Sequence, residues 1–360
     1  MLLNHYLMLR KIEHGSITML RKPGKRKLSI LSAGAAVLVL GLSGDIQPSA
    51  DAATKKLTVY CGREEKIIGP LIQKAQKALG LDIEVRYGDS NELAIALVEE
   101  GKNSRADLFY AQDVGSLGAI GRENLSMTLP NSLLQKVDKR FRSSDRHWVG
   151  ISGRARVIAY NKKQVNVHQL PTTVMQLTDS KWRGKVGWAP INSSFQSFVN
   201  AMRILRGDKA TLDWLKAMKA NDTKLYPKNS AIVEALGRGE ISLGLVNNYY
   251  LYRYTKTNPN FPVANHHTRN DPGALINAAG LAVLKTTDQQ SDAEKFVAYM
   301  LMPEVQRFLA NEFHEYPLVK CIPVANGQVP LRFIWSPKID LSQLSDLKGT
   351  IALIQQAGLM

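Results

Sequence analysis

The chain has 360 residues, 44% of them hydrophobic, with 47 Lys and Arg against 31 Asp and Glu, a formal net charge of +16. That length and apolar fraction suit two packed domains and exclude a disordered, fibrous or multi-span membrane protein. The basic residues are scattered, without the interleaved aromatics of a nucleic-acid groove, so the positive field is read as drawing in anions and anionic chelates.

The first elements are not part of a fold. A basic patch, "RKPGKRK" (Arg21 to Lys27), runs into the apolar "LSILSAGAAVLVLGLSG" and then the small-residue segment "PSADAA". That order is the n-, h- and c-region of a secretory signal peptide, so residues 1–53 are read as one and the mature protein as periplasmic. The apolar run is shorter than the roughly 20 residues of a spanning helix. Removing these residues takes away seven Lys/Arg and three Asp/Glu, leaving 40 against 28, a net +12. Outside the cytoplasm a nucleic-acid partner is not expected. Cys61 and Cys321 would there be free to form a disulfide, and the sequence leaves open whether they meet.

From Lys56 strand and helix patterns alternate. "LTVYC" reads as a strand, "KIIGPLIQKAQKAL" as a helix, "DIEVRYG" as a strand, "NELAIALVEEG" as a helix and "ADLFYA" as a strand. This βαβαβ rhythm predicts a parallel sheet covered by helices, with ligands at the carboxyl ends of its strands. A second α/β set follows: strands in "KVGWAP" and "ISLGLV", helices in "SFQSFVNAMRILRG" and "KATLDWLKAMKAN". Between and after the sets, "GRARVIAYN" and "ALINAAGLAVL" read as two extended crossings, a hinge between lobes. The expectation is an α/β, two-lobe periplasmic binding protein (type II), each lobe a mostly parallel sheet flanked by helices. Lobe 1 is expected over residues 54–153 plus about 279–360, and lobe 2 over 154–278.

No G-x-S-x-G, H-E-x-x-H, P-loop or C-x-x-C motif occurs, and nothing nominates a nucleophile with its base, so no enzyme is expected. His266 and His267 stand together in a stretch read as a polar loop and are not taken as ligands. The segment "LVNNYYLYR" is more informative, since Tyr249 and Tyr250 follow a strand end directly. They read either as an aromatic core patch or as paired phenolic donors. In the second case a turn into a helix would aim both hydroxyls into the cleft, with Tyr252 packing elsewhere. Phenolate is a hard donor, and with an ordinary pKa of about 10 only a strong Lewis acid such as Fe(III) displaces its proton near neutrality. Asn192, Ser193 and Ser194 fall at an expected helix N-terminus, where backbone N–H groups favour an anion or the side chains simply cap.

The chain resembles the periplasmic ferric-ion-binding proteins of iron(III) ABC importers, within the transferrin-like bilobal class. The resemblance spans nearly all of the mature chain. It rests on "VYCGREE", "ADLFYAQD", "WVGISGRARVIAYN", "KWRGKVGWAPINSSFQSF", "YPKNSAIVEALGRGEISLGLVNNYYLYR" and "EYPL". It implies that Tyr249 and Tyr250 are tyrosinate ligands of iron and that an ABC permease receives the cargo from a monomeric carrier. Glu64 stands where one branch has a ligand histidine, and Gln112 where that branch has a carboxylate. These departures imply exogenous donors such as carbonate, phosphate or citrate. Arg63 and Arg154 match cleft positions suited to that anion, and Asn229 and Asn247 match anion-contacting asparagines. Gln112 and Arg253 are expected behind the ligands, and Glu64 is a candidate third ligand. The alternative is an anion or small organic solute binder on the same scaffold, without metal.

Overall fold

The computed structural model describes residues 56–360; the signal-peptide reading lies outside them. The first half-sheet is built from β1 (Leu57–Cys61), β2 (Ile83–Tyr87) and β3 (Leu108–Ala111), with α1 (Glu65–Leu79), α2 (Ser90–Glu100) and α3 (Val114–Arg122) between and after them. A single turn, α4 (Asn131–Leu134), leads to the long β4 (Val149–Asn161). The second half contains β5 (Val186–Trp188), α5 (Ser193–Arg206), α6 (Asp208–Ala220), β6 (Lys224–Leu225), α7 (Asn229–Arg238), β7 (Leu243–Asn247), α8 (Tyr249–Thr255) and β8 (Val263–His266). The chain returns through β9 (Ile276–Val283), α9 (Gln290–Met300), α10 (Pro303–Phe313) and β10 (Tyr316–Pro317), and ends in α11 (Leu347–Gln356).

The strand order is β2-β1-β3-β9-β4-β7-β5-β6, with β8 and β10 also pairing β4. β1 pairs in parallel with β2 and β3, and β5 in parallel with β6 and β7. The two parallel sets are joined by the antiparallel pair β4 and β9, which are the two extended crossings expected from the sequence. β4 bonds β9 along Val149 to Ala155 and then β7 along Arg156 to Tyr160, so one strand serves both halves. Central strands covered on both faces bury every residue, which is why β3, β7 and β9 carry no exposed positions.

Side chains on either side of this crossing form separate cores. Leu57, Val59, Phe109, Ile151, Leu281 and Phe296 belong to the first, and Trp188, Phe195, Phe198 and Trp214 to the second. Ile232, Val246, Tyr249 and Tyr250 form a third cluster beside β7. The last residues correct the expected boundary: Leu353, Ile354, Ala357 and Leu359 join the second core, with α11 against α5 and α6, rather than staying with the first half to residue 360. The apolar face of α11 finds cover there. A second correction concerns His266, which ends β8 opposite Ile158 rather than lying in a loop.

Cys61 and Cys321 are both free thiols, the first buried in β1 and the second exposed. Burial pushes the Cys61 thiol up to about 12, so its reactive thiolate is scarce near neutrality. A thiol reagent at neutral pH is therefore expected to modify one cysteine per native chain and the second only in denaturant, as read by mass spectrometry. Modification of neither, with the mass of a disulfide, would contradict this.

Candidate metal centre

The tyrosine pair owes its place to the step from strand to helix. β7 ends at Asn247 and α8 begins at Tyr249, with Asn248 already in the helical region at φ −54 and ψ −40. Asn248 fixes that step on β4: its N–H donates to the carbonyl of Ala155 at 2.9 Å, and its Oδ1 accepts from the Ala155 N–H at 2.9 Å. Successive residues of a strand face opposite ways, but in a helix they diverge by about 100°. Tyr249 and Tyr250 can therefore stand side by side, with ring centroids 4.4 Å apart and planes 27° from parallel. They are 1% and 4% exposed. Tyr252 turns away as expected, stacking on His314 and donating its hydroxyl to the carbonyl of Gly327.

Burial, followed by the charge of its neighbour Tyr249, pushes the Tyr250 hydroxyl well above the ordinary tyrosine range. Four guanidinium groups surround the pair. Arg253 lies over both rings, 5.7 Å from the Tyr249 centroid and 4.9 Å from that of Tyr250, and donates to Glu64 at 3.2 Å. Glu64 also meets Lys66 at 3.4 Å and remains partly exposed. Arg63 is buried against Glu315, whose other oxygen accepts from Ser152. Burial alone would depress the Arg63 guanidinium, but the Glu315 carboxylate overcomes it and holds the charge firmly on.

Arg154 and Arg156 differ from these two, since neither has a carboxylate partner within bonding distance among the described residues. They lie two apart on β4 and so share a face, Arg154 opposite Asn277 on β9 and Arg156 opposite Asn247 on β7. Each is 2% exposed. All three guanidinium nitrogens of Arg154 are buried without a hydrogen-bond partner. Arg156 donates once, to the carbonyl of Leu245 at 2.9 Å, and leaves Nε and Nη1 unpartnered against Phe195 and Phe198. Burial depresses both, Arg156 to about 9 with Arg154 reinforcing it, while for Arg154 the Asp113 carboxylate opposes the fall. An unpaired buried cation is costly, and two of them share this face.

The expected anion-holding side chains come together around the starts of two helices. Asn192 caps α5 through Ser194, and Asn229, opening α7, donates to Asn192 at 3.1 Å. Ser193 Oγ, Asn229 Oδ1 and Asn247 Nδ2 are buried and unpartnered. Asn192 and Ser194, by contrast, are occupied with each other, at 2.6 Å. The Gln112 side chain also has a buried, unpartnered Nε2, but no bond joins it to the tyrosines. Among the described residues no three His, Cys, Asp or Glu side chains gather to hold a metal ion.

Glu315, Ser152, Arg156 and Asn248 escaped the sequence reading. Arg156 carried a signal, since Arg154 and Arg156 alternate along a predicted strand. Glu315 carried none beyond its place in "EYPL", because its partner Arg63 is 252 positions away. Replacing Glu315 with Ala would leave Arg63 buried without its counter-charge, and is expected to cost about 3–5 kcal/mol. Denaturant unfolding checks this; a loss below about 1 kcal/mol would put the pair in the class of surface bridges.

These features define an α/β protein of two joined half-sheets in which paired phenols are buried beside unpaired guanidiniums. The model of the bacterial extracellular solute-binding protein family matches residues 103–333. The major ferric iron-binding protein of Neisseria meningitidis is 31% identical over 319 residues, 86% of this chain and 95% of that one. The Fe(3+)-binding periplasmic protein of Serratia marcescens is 30% identical over 339 residues, 93% of this chain and 100% of that one. Among solved structures, iron-bound HitA from Pseudomonas aeruginosa superposes with a TM-score of 0.81 at 30% identity, covering 84% of this chain and 99% of that one. A Trichodesmium protein in complex with iron and citrate superposes with a TM-score of 0.73 at 27% identity, covering 85% and 100%. The chain belongs to the periplasmic ferric-ion-binding proteins of the extracellular solute-binding family, a binding and transport family rather than an enzyme family. Among the described residues no helix is long and apolar enough to cross a membrane.

Proposed function

We propose that this protein captures iron(III) outside the cytoplasm with Tyr249 and Tyr250 as tyrosinates and passes it to an ABC permease. The observation that carries the reading is the set of unpartnered guanidinium nitrogens on Arg154 and Arg156 beside two buried, stacked phenols. Tyr250 is held protonated by burial, so weak Lewis acids would leave its proton in place, whereas Fe(III) can displace it. Two phenolates leave an octahedral ion short of donors. An oxyanion such as carbonate, phosphate or citrate would supply them, its other oxygens meeting Arg154, Arg156 and the free polar atoms of Ser193, Asn229 and Asn247. Glu64 remains a candidate further ligand, though it would have to give up its bond to Arg253.

The two lobes would close on this cargo about β4 and β9. The first core's α2 and α3 already meet α5, where Asn91 donates to Gln196 and Ser197 donates to Asp113 at 2.7 Å. Equilibrium dialysis against ferric citrate tests the reading: one iron per chain is expected, and none would overturn it. The stacked rings beneath Arg253 also suit a metal-free binder of small organic anions; citrate retained without iron would favour that reading.

A further inference from the structure

A groove remote in sequence from the tyrosine site runs between residues 131–146 and 334–341. One end is a cavity of about 570 Å³ whose wall includes Lys139, Arg140, Arg142 and Arg146. The other, about 470 Å³, shares Arg140, Ile339 and Asp340 with it and is walled by Phe141, Ile276, Ile334 and Leu341 beside Ser336 and Lys338. Four cations thus fall within eight residues at one end. Arg140 Nε pairs with Asp138 at 3.1 Å, and Asp340 is engaged in accepting from the Ser342 N–H at 2.9 Å. No ion pair is formed by Lys139, Arg142 or Arg146 among the described residues.

The loop that carries them is tied down. Arg146 sits in the left-handed region at φ 68, its N–H donating to Ser143 O at 3.1 Å and its carbonyl accepting from Leu129 at 2.9 Å. Ser143 Oγ accepts from the N–H groups of His147 and Trp148 at 2.6 and 3.1 Å. A non-glycine residue at positive φ is uncommon, and here it turns the chain so that Arg142 and Arg146 reach one cavity. Like charges held together repel unless a multivalent anion neutralises them, and the planar guanidinium fork matches phosphate oxygens.

We propose that this groove binds a phosphate-bearing anion, the basic end taking the phosphate and the apolar end receiving any nonpolar group attached to it. The test uses the purified protein with two probes: pyrophosphate in calorimetry, and vesicles of phosphatidylglycerol or phosphatidylcholine in sedimentation. Binding of pyrophosphate would assign a free phosphate compound; sedimentation with phosphatidylglycerol alone would assign a lipid headgroup. Either response is expected to weaken about tenfold or more in an Arg142→Gln, Arg146→Gln double variant, with iron binding unchanged. It should also fall with added salt. A Lys77→Gln, Lys216→Gln variant, which removes the same charge from exposed helix positions, should bind as the wild type does. Binding of neither probe by the wild type, retention by the arginine variant, or an equal loss in the lysine variant would each overturn the proposal.

Discussion

A Tyr249→Phe, Tyr250→Phe double variant is expected to lose ferric binding while keeping its fold. The change removes two oxygen atoms and leaves the rings that build the cluster with Ile232 and Val246. Stacking at 4.4 Å needs no hydroxyl, so unfolding free energy should move by no more than about 1 kcal/mol. The loss in iron affinity should exceed the about 10–100-fold that groups outside the coordination shell contribute. Dialysis beside a denaturant melt separates the two quantities. A variant that holds one iron per chain would make the pair a core patch.

The second large effect has opposite signs in stability and function. Arg156→Met is expected to stabilise the empty protein by about 1–3 kcal/mol, because it removes a buried cation that burial already depresses to about 9. Methionine suits the wall made by Phe195 and Phe198, and the one bond lost is that to Leu245 O. The same change should weaken anion-dependent iron capture about 10–100-fold. A chain more stable and less able to bind would mark Arg156 as kept for its ligand. A destabilised variant with full iron affinity would make its role structural.

The architecture was legible where local chemistry decides it. Alternating strand and helix patterns foretold the two parallel sets, and "GRARVIAYN" with "ALINAAGLAVL" foretold β4 and β9. The tyrosines drew notice because two aromatic residues followed a strand end, and Asn248 turns that end into a helix as the spacing required. What the sequence hid depends on distant pairing. Arg63 meets Glu315, and α11 crosses to α5, only because the completed fold brings them together. Arg156 was overlooked for another reason: its alternation with Arg154 was visible, but only its burial without a carboxylate partner separates it from a surface charge.

The most direct measurement is the visible spectrum of the metal-stripped protein during titration with ferric citrate, carbonate and phosphate being present. A tyrosinate-to-iron charge-transfer band is expected that saturates near one equivalent and is missing from the Tyr249→Phe, Tyr250→Phe variant. A wild-type protein that stays colourless, or a band of equal strength in the variant, would contradict it.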